Sequence, residues 1–597
     1  MFNSFFQYRK FFSLLYSYSK ENYKLVSFYV FALIADTFAK LFAVVSIVPL
    51  LNFLSEGSVD SSAVSTNITF IFKDLLEAVN INYSLESSGL VFITATFIVA
   101  ITEILFYSIG RKNSYQMGYY STSLAVKNFY RQGLKSINSQ SFGIIQNTFQ
   151  KEIEKITNGI DGILRMFASI IQVTFLLLLA FSLSASMSAL TLILMTIIFF
   201  ILSSLNPLIT KLGFKVTESG NQLSHALFEP LLNAKQVLSF GRIEWASNKH
   251  TIKYKEHARD AILSQTVVFS IPVIFRTLGI IAALVALYFS ITSGENAAVL
   301  IATLVALIRI TPVASEITSS LNQLSLAVPS LAQFERLFGV FNKSQKESTL
   351  KKYSGFRNSI KLSKIDYSHD SIRNSISDID LIIKKNSYVA FVGPSGSGKT
   401  TCVDIILGLL KPTNGLVMID NDSMNDIDSE TFLNRIGYVQ QSPFLFNGSI
   451  KDNLLWSNPD ATESGMWDAL HIANIDKFIR STEHQLDTQV GDRGVALSGG
   501  QKQRIVLAQA LIRKPDILIL DEATNSLDPE SEYFIMESLE KISHNTTIIS
   551  ITHKPSFAKI ADRIFVFNDG IIVESGSYDE LIKNNNSFLN KAEYLSV

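Results

Sequence analysis

Gly393-Pro-Ser-Gly-Ser-Gly-Lys-Thr400 follows the apolar run Tyr388–Val392 and leads into the amphipathic stretch TTCVDIILGLL. The spacing is G-x-x-x-x-G-K-[ST], and its flanks predict strand, loop and helix, the context a phosphate-binding loop requires. Glycines let backbone N–H groups close around phosphate oxygens, Lys399 reaches the β- and γ-phosphates, and the Thr400 hydroxyl takes Mg²⁺. The candidate nucleotide contacts here are Gly393, Ser395, Gly396, Ser397, Gly398, Lys399, Thr400 and Thr401. Cys402 is the single cysteine, so an intramolecular disulfide is excluded. It reads as a small packed residue behind the loop.

Further along the chain, a second apolar strand, Ile517-Leu-Ile-Leu520, ends in Asp521-Glu522. Two carboxylates at a strand end put one near the metal and the next beside the attacking water. Asp521 is the expected Mg²⁺ group and Glu522 the expected catalytic group. An acidic pair alone reads equally well as surface; beside a phosphate loop it reads as a site. The expected fold for residues 356–597 is therefore an α/β P-loop NTPase.

The other half is different in kind. Hydrophobic residues make up 47% of the chain and charged ones 17%, against about 25% charge in soluble proteins. Long apolar runs end near Phe338. Six are long enough to cross a bilayer, which takes about 20 residues: Ser27–Leu54, Gly89–Gly110, Met166–Leu183, Met187–Leu205, Val267–Ile291 and Ala297–Leu321. The expectation is a polytopic α-helical membrane domain over 23–340, preceded by a cytosolic elbow segment 1–22 and followed by a polar linker 341–355. No small-residue cleavage site follows the aromatic and charged N-terminal residues, so insertion is expected to use the first apolar run.

Lys and Arg set the orientation, because they stay on the cytosolic side. Eight lie between Arg111 and Arg165 and eight between Asn206 and Thr266, while the loop after the first span holds only Lys73. Both termini are then cytosolic, and spans two to three and four to five are joined by long polar helical extensions. Lys+Arg and Asp+Glu balance at 52 each, so charge gives no sign of a nucleic-acid partner.

Leu497-Ser-Gly-Gly-Gln501 resembles the signature motif of the ATP-binding cassette (ABC) family, and it too precedes an amphipathic stretch, KQRIVLAQALI. The resemblance implies an exporter-type half-transporter that hydrolyses ATP. In that family the signature caps the γ-phosphate held by a partner subunit, so Ser498, Gly499, Gly500 and Gln501 become nucleotide contacts in a dimer. A homodimer is expected; a related half-transporter as partner stays open. The resemblance further assigns Gln441 to Mg²⁺ and to sensing the membrane half, Asp528 to the D-loop, and His553 to the γ-phosphate. Lys399, Glu522 and His553 form the expected catalytic set. The family stacks adenine on an aromatic ring, for which Tyr367 and His369 are both candidates. Departures from the family pattern are Gln440 where proline is common, and His553-Lys-Pro after the switch strand. The mechanism implied is alternating access, with short coupling helices near 140–150 and 229–240.

Ionisable residues inside spans tend to mark a substrate path. Asp36 and Lys40 are four apart and can pair. Arg276 and Arg309 have no obvious local partner, and Glu316 shares a helix face with Arg309 across Pro312. These three are the substrate candidates. The segments DTFAKLFAVVSIVPLLNFL and ALIRITP are similar to bacterial flippases of lipid-linked oligosaccharides, which implies an amphipathic anionic cargo and a bacterial inner membrane. Peptide, toxin, lipid and drug export remain competing cargoes for the same architecture.

Overall fold

The computed structural model describes residues 2–46, 84–292, 297–340, 350–368, 374–523 and 529–583. The chain divides into two compact units: residues 1–132 with 136–342, and residues 133–135 with 343–597. The end of the first expected span and most of the expected linker fall outside the described residues, as do His369 and Asp528.

The first unit is helical. Its helices are α1 (Phe2–Glu21), α2 (Tyr23–Val45), α3 (Leu85–Arg131), α4 (Leu134–Asn138, begun in the second unit), α5 (Phe142–Asn147), α6 (Ile153–Leu183), α7 (Ala185–Ser203), α8 (Asn206–Leu232), α9 (Ala234–Ser239), α10 (Ile243–Thr292) and α11 (Ala297–Phe338). A π-helical turn, Thr148–Glu152, joins α5 to α6. Six helical segments are long and apolar enough to cross a membrane. They overlap the six expected spans, and α3, α6, α10 and α11 run well past them. At 1.5 Å per residue the 50 residues of α10 reach ~75 Å, more than twice the ~30 Å hydrocarbon core. The excess is the polar extension that the Lys- and Arg-rich segments require. Short helices, α5 and α9, occupy the two segments expected to couple. Pro312 does not end α11, which continues as one helix through it.

The elbow segment belongs to this unit: Phe11, Leu14 and Tyr18 of α1 are buried with Ile156 and Ile160 of α6 and Leu331 and Phe334 of α11. Small residues let α6 and α11 approach closely, the usual means of packing helices in a bilayer. A Cβ at Gly159 would lie 2.7 Å from the Ala327 Cβ, closer than any real contact.

The second unit carries two sheets. Strands β1 (Ser359–Ser368), β2 (Asn374–Lys384), β4 (Asn414–Ile419) and β5 (Asp422–Ser423) form an antiparallel sheet in the order β2-β1-β4-β5. Strands β3 (Tyr388–Val392), β6 (Ile436–Val439), β7 (Ile517–Asp521), β8 (Thr547–Ile551), β9 (Arg563–Asn568) and β10 (Ile571–Gly576) form the other, in the order β10-β9-β3-β8-β7-β6. From β9 to β6 the neighbours are parallel. Every residue of β3, β7 and β8 is buried, which is why these strands read as unbroken apolar runs. In such sheets ligands bind beyond the carboxyl ends of the strands, and β3, β7 and β8 end there in the phosphate loop, in Asp521-Glu522 and in Thr552-His553.

The close α6–α11 crossing predicts that Gly159→Val wedges the helices apart. The expected cost is about 1–3 kcal/mol, seen as a thermal midpoint several degrees lower in detergent micelles. An unchanged midpoint would show that the crossing does not hold the bundle.

Candidate functional site: a phosphate loop beside a clamped glutamate

The loop between β3 and α12 (Lys399–Ile406) is built on glycines that nothing else can replace. Gly393 has φ +148°, and a Cβ there would sit 2.1 Å from the Phe567 carbonyl oxygen. Gly398 caps α12 at φ 99°, where a Cβ would come within 2.4 Å of Ile376 Cγ2. These contacts fix the loop's path, and α12 presents its N-terminal N–H groups to the phosphate position.

Lys399 is 5% exposed, and its ammonium donates to the Gly393 and Pro394 carbonyl oxygens at 2.8 Å each. Burial pulls its pKa below the usual lysine value, opposed by Glu522 and Asp521. Thr400 Oγ1 lies 3.4 Å from Asp521 Oδ2. Asp521 is 3% exposed, and its pKa is raised by burial first and by Glu522 next. A buried carboxylate beside a hydroxyl, with an amide at Gln441, is a hard-oxygen set that fits Mg²⁺.

Glu522 is the centre of the arrangement. Its backbone sits in the left-handed region, φ 49°, unusual for a side chain of this size. The two strands flanking β7 hold it there. Its N–H donates to Ile551 O at 3.0 Å. Gln441 Nε2, after β6, donates to Oε2 at 2.8 Å. His553 Nε2, after β8, lies 3.1 Å from Oε1. The structure thus brings Glu522, Gln441 and His553 into one hydrogen-bonded cluster, with Asp521 beside it at the end of β7 and Lys399 and Thr400 at the adjoining start of α12. Pro555, the odd residue of the switch sequence, opens the helix Pro555–Lys559 at its first turn, where proline is well tolerated.

Ser498 to Gln501 lie elsewhere, at the exposed start of α13 (Gly499–Leu511). Ser498 Oγ accepts from the Gln501 N–H at 3.3 Å, and Gln501 Oε1 accepts from the Ser498 N–H at 2.9 Å. This reciprocal cap leaves a helix N-terminus facing outward, suited to an anion from another molecule.

One expectation fails. Tyr367 is 1% exposed in the β-sheet core, and the Lys135 ammonium stands 5.5 Å from its ring centroid. A ring covered in this way has no face left for adenine.

Three residues went unnoticed in the sequence. Gln503 is 2% exposed on α13, and its Nε2 donates to the Glu522 carbonyl at 3.4 Å; a polar residue on a core-facing helix position was the available signal. Tyr438 hydrogen-bonds Asp521. Asp404 stands one turn after Thr400, and burial together with Asp521 pushes its pKa up to about 6. Nothing in its spacing marks it, because its environment comes from β7.

A bundle of long apolar helices fused to a P-loop ATPase unit defines the class: an integral membrane protein that couples ATP hydrolysis to transport. Comparison with known proteins agrees. Residues 26–315 match the ABC transporter transmembrane region and residues 376–525 the ABC transporter ATP-binding domain. The chain is 31% identical over 444 residues to the heterocyst differentiation ATP-binding protein HepA of Nostoc sp., covering 74% of this chain and 73% of that protein. It is 42% identical over 247 residues to the ATP-dependent permease MDL1 of Candida albicans, but spans only 36% of that protein. It is 40% identical over 235 residues to a putative multidrug export ATP-binding/permease protein of Staphylococcus aureus, spanning 41% of it. A bacterial Atm1-family ABC exporter with ATP bound shares the fold at TM-score 0.82 over 94% of this chain and 97% of that one, with 19% identity. The chain belongs to the ABC transporter family, with ATP and Mg²⁺ as its cofactors.

Two outcomes follow for this site. Glu522→Gln keeps ATP binding and lowers ATP hydrolysis at least 100-fold, a loss on the scale of removing an aligned catalytic base; ATPase rates alongside nucleotide retention on a spin column check it. Asp404→Asn is expected to raise the thermal midpoint at pH 7.5, by less at pH 5, and not at all once the pH is below the unfolded carboxylate value of about 3.9. The folded pKa is above the unfolded value, so ionisation of Asp404 costs stability as pH rises through about 6. The gain is on the order of 1 kcal/mol after allowance for its partial exposure. A midpoint that falls at pH 7.5 would refute this.

Proposed function

We propose that the protein is an exporter that flips an amphipathic, anionic cargo, a lipid-linked oligosaccharide with a pyrophosphate, across a bacterial inner membrane. It works as a homodimer with both termini in the cytosol. The observation that carries this reading is a contrast among the membrane charges. Asp36 pairs with Lys40 at 2.8 Å, and Glu316 pairs with Arg165 at 3.4 Å. Arg276 and Arg309 are exposed in apolar helices, and among the described residues neither has an ion-pair or hydrogen-bond partner. A guanidinium inside a bilayer costs about 2.5–3.5 kcal/mol by insertion scales. Two unanswered arginines per chain, four per dimer, make sense beside water and an anion that takes bidentate hydrogen bonds. Glu316 drops out as an independent ligand, since Arg165 answers its charge.

The cycle follows from the site. Nucleotide held by the phosphate loop of one copy meets the Ser498 cap of the other. Mg²⁺, when bound, neutralises charge developing on the phosphates. Lys399 and the α12 N-terminus bind the phosphates, Gln441 and His553 orient Glu522, and Glu522 aligns the water. Closure turns the cavity outward and hydrolysis resets it. The name of the Staphylococcus relative points, for that protein, to drugs as cargo; a neutral or cationic drug would leave the two arginines without purpose.

Purified protein in liposomes is expected to flip a polyprenyl-pyrophosphate glycolipid in an ATP-dependent way. Arg309→Ala and Arg276→Ala should each cut this at least tenfold, as loss of a charge-assisted bond does, with ATP binding intact. Normal flipping by both variants would overturn the anionic-cargo reading.

A further inference from the structure

The π-helical turn between α5 and α6 ends in Glu152, which is 1% exposed. Its two carboxylate oxygens receive four donors. Oε1 accepts from Lys155 Nζ at 2.8 Å and Asn147 Nδ2 at 3.2 Å. Oε2 accepts from Thr217 Oγ1 at 2.9 Å and Ser330 Oγ at 2.5 Å. Thr217 is on α8 and Ser330 on α11, so one side chain ties together four elements.

A second layer surrounds it. Asn147 Nδ2 donates to Asn221 Oδ1 at 2.8 Å, Asn221 Nδ2 to Gln333 Oε1 at 2.8 Å, and Gln333 Nε2 to Thr148 Oγ1 at 2.8 Å. Asn147, Thr148, Asn221 and Gln333 are all buried. The π turn holds one residue more than an α turn, which rotates the following face by about 100°. That rotation aims Glu152 into the bundle. Sliding apolar helices past one another is easy; a dense set of buried directional bonds resists such sliding and moves as a block.

We propose that Glu152 is a positioning residue for coupled transport. It locks the short helix α5 and its π turn to α8 and α11, so that a displacement of α5 moves both helices together. The proposal rests on the exporter reading above, in which ATP-driven closure rearranges the membrane helices. Glu152 touches no nucleotide-site residue, so its loss should leave ATP binding alone and break the transmission.

The test uses the full chain in nanodiscs with Glu522→Gln to retain ATP. Cys402 is fully buried, so a spin label on Thr292→Cys, at the exposed end of α10, reports the distance between the two copies. In the parent, Mg-ATP is expected to shift that distance. In Glu152→Leu, affinity for a fluorescent ATP analogue stays within about twofold, while the shifted fraction falls at least fivefold, the lower end of site–site coupling. Glu152→Gln, which keeps one acceptor oxygen and the side-chain shape, should restore most of the shift. Thr217→Val with Ser330→Ala strips the donors from Oε2 and should reduce the shift with Glu152 present. A Glu152→Leu protein that shifts like the parent overturns the proposal. So does joint loss of ATP binding and monodispersity in Glu152→Leu and the Thr217/Ser330 variant, which would make the cluster merely structural. A parent that shows no shift refutes the exporter reading itself, a distinguishable result.

Discussion

Parallel pairing of β3, β8 and β7 is the constraint on which the catalytic chemistry depends. β7 and β8 lie about 130 and 160 residues after β3 in sequence, and their register brings three loops to one end of one sheet. Each loop contributes a different chemical kind: backbone N–H groups and an ammonium, two carboxylates, an imidazole. Because all three strands are wholly buried, the sheet cannot slip without exposing an apolar face, so the loops are held as rigidly as the core. That rigidity permits Glu522 its left-handed backbone. The strain of a positive φ, of order 1–3 kcal/mol, persists only where neighbours over-determine it, and here an N–H bond to Ile551 and side chains from β6 and β8 do so.

The clamp on Glu522 has a second member that belongs to the signature helix. Gln503 lies on α13, whose N-terminus is the outward-facing Ser498 cap, and its amide reaches the Glu522 carbonyl. One helix therefore touches Glu522 of its own chain with its flank and turns its capped N-terminus outward. In the proposed dimer this makes each site sensitive to how the other is filled, without any additional element.

Legibility followed from whether a feature was local in sequence. The six spans were readable because an apolar run long enough to cross lipid is a property of a single segment; the phosphate loop was readable because a tight glycine turn, a lysine and a threonine must be contiguous. The helices' full lengths were only half legible, since polar extensions carry no lipid signal and are shaped by packing. Tyr367 shows the limit: an aromatic in an alternating strand pattern points either to the core or to a ligand, and only the partner elements decide which. Glu152 and Asp404 were invisible for the same reason. Each takes its meaning from residues 65 to 178 positions away or on another strand or helix, and an isolated Glu or Asp reads as solvated surface.

The membrane unit's polar groups sort by whether the protein itself satisfies them. Asp36 has Lys40, Gln172 and Thr102. Arg165 binds Asp161, Glu316 and Gln323. Glu152 has four donors. These groups are internally neutralised or saturated, and a satisfied buried group has little left to offer a ligand. Affinity for a charged cargo has to come from groups the fold leaves unanswered, because only those gain on binding what they lost on leaving water. In the proposed reading Arg276 and Arg309 are such groups, exposed in apolar helices while Asp36, Arg165 and Glu316 are paired. On the proposed anionic-cargo reading, their cost to the empty protein is the physical reason to assign them to the passenger rather than to the scaffold.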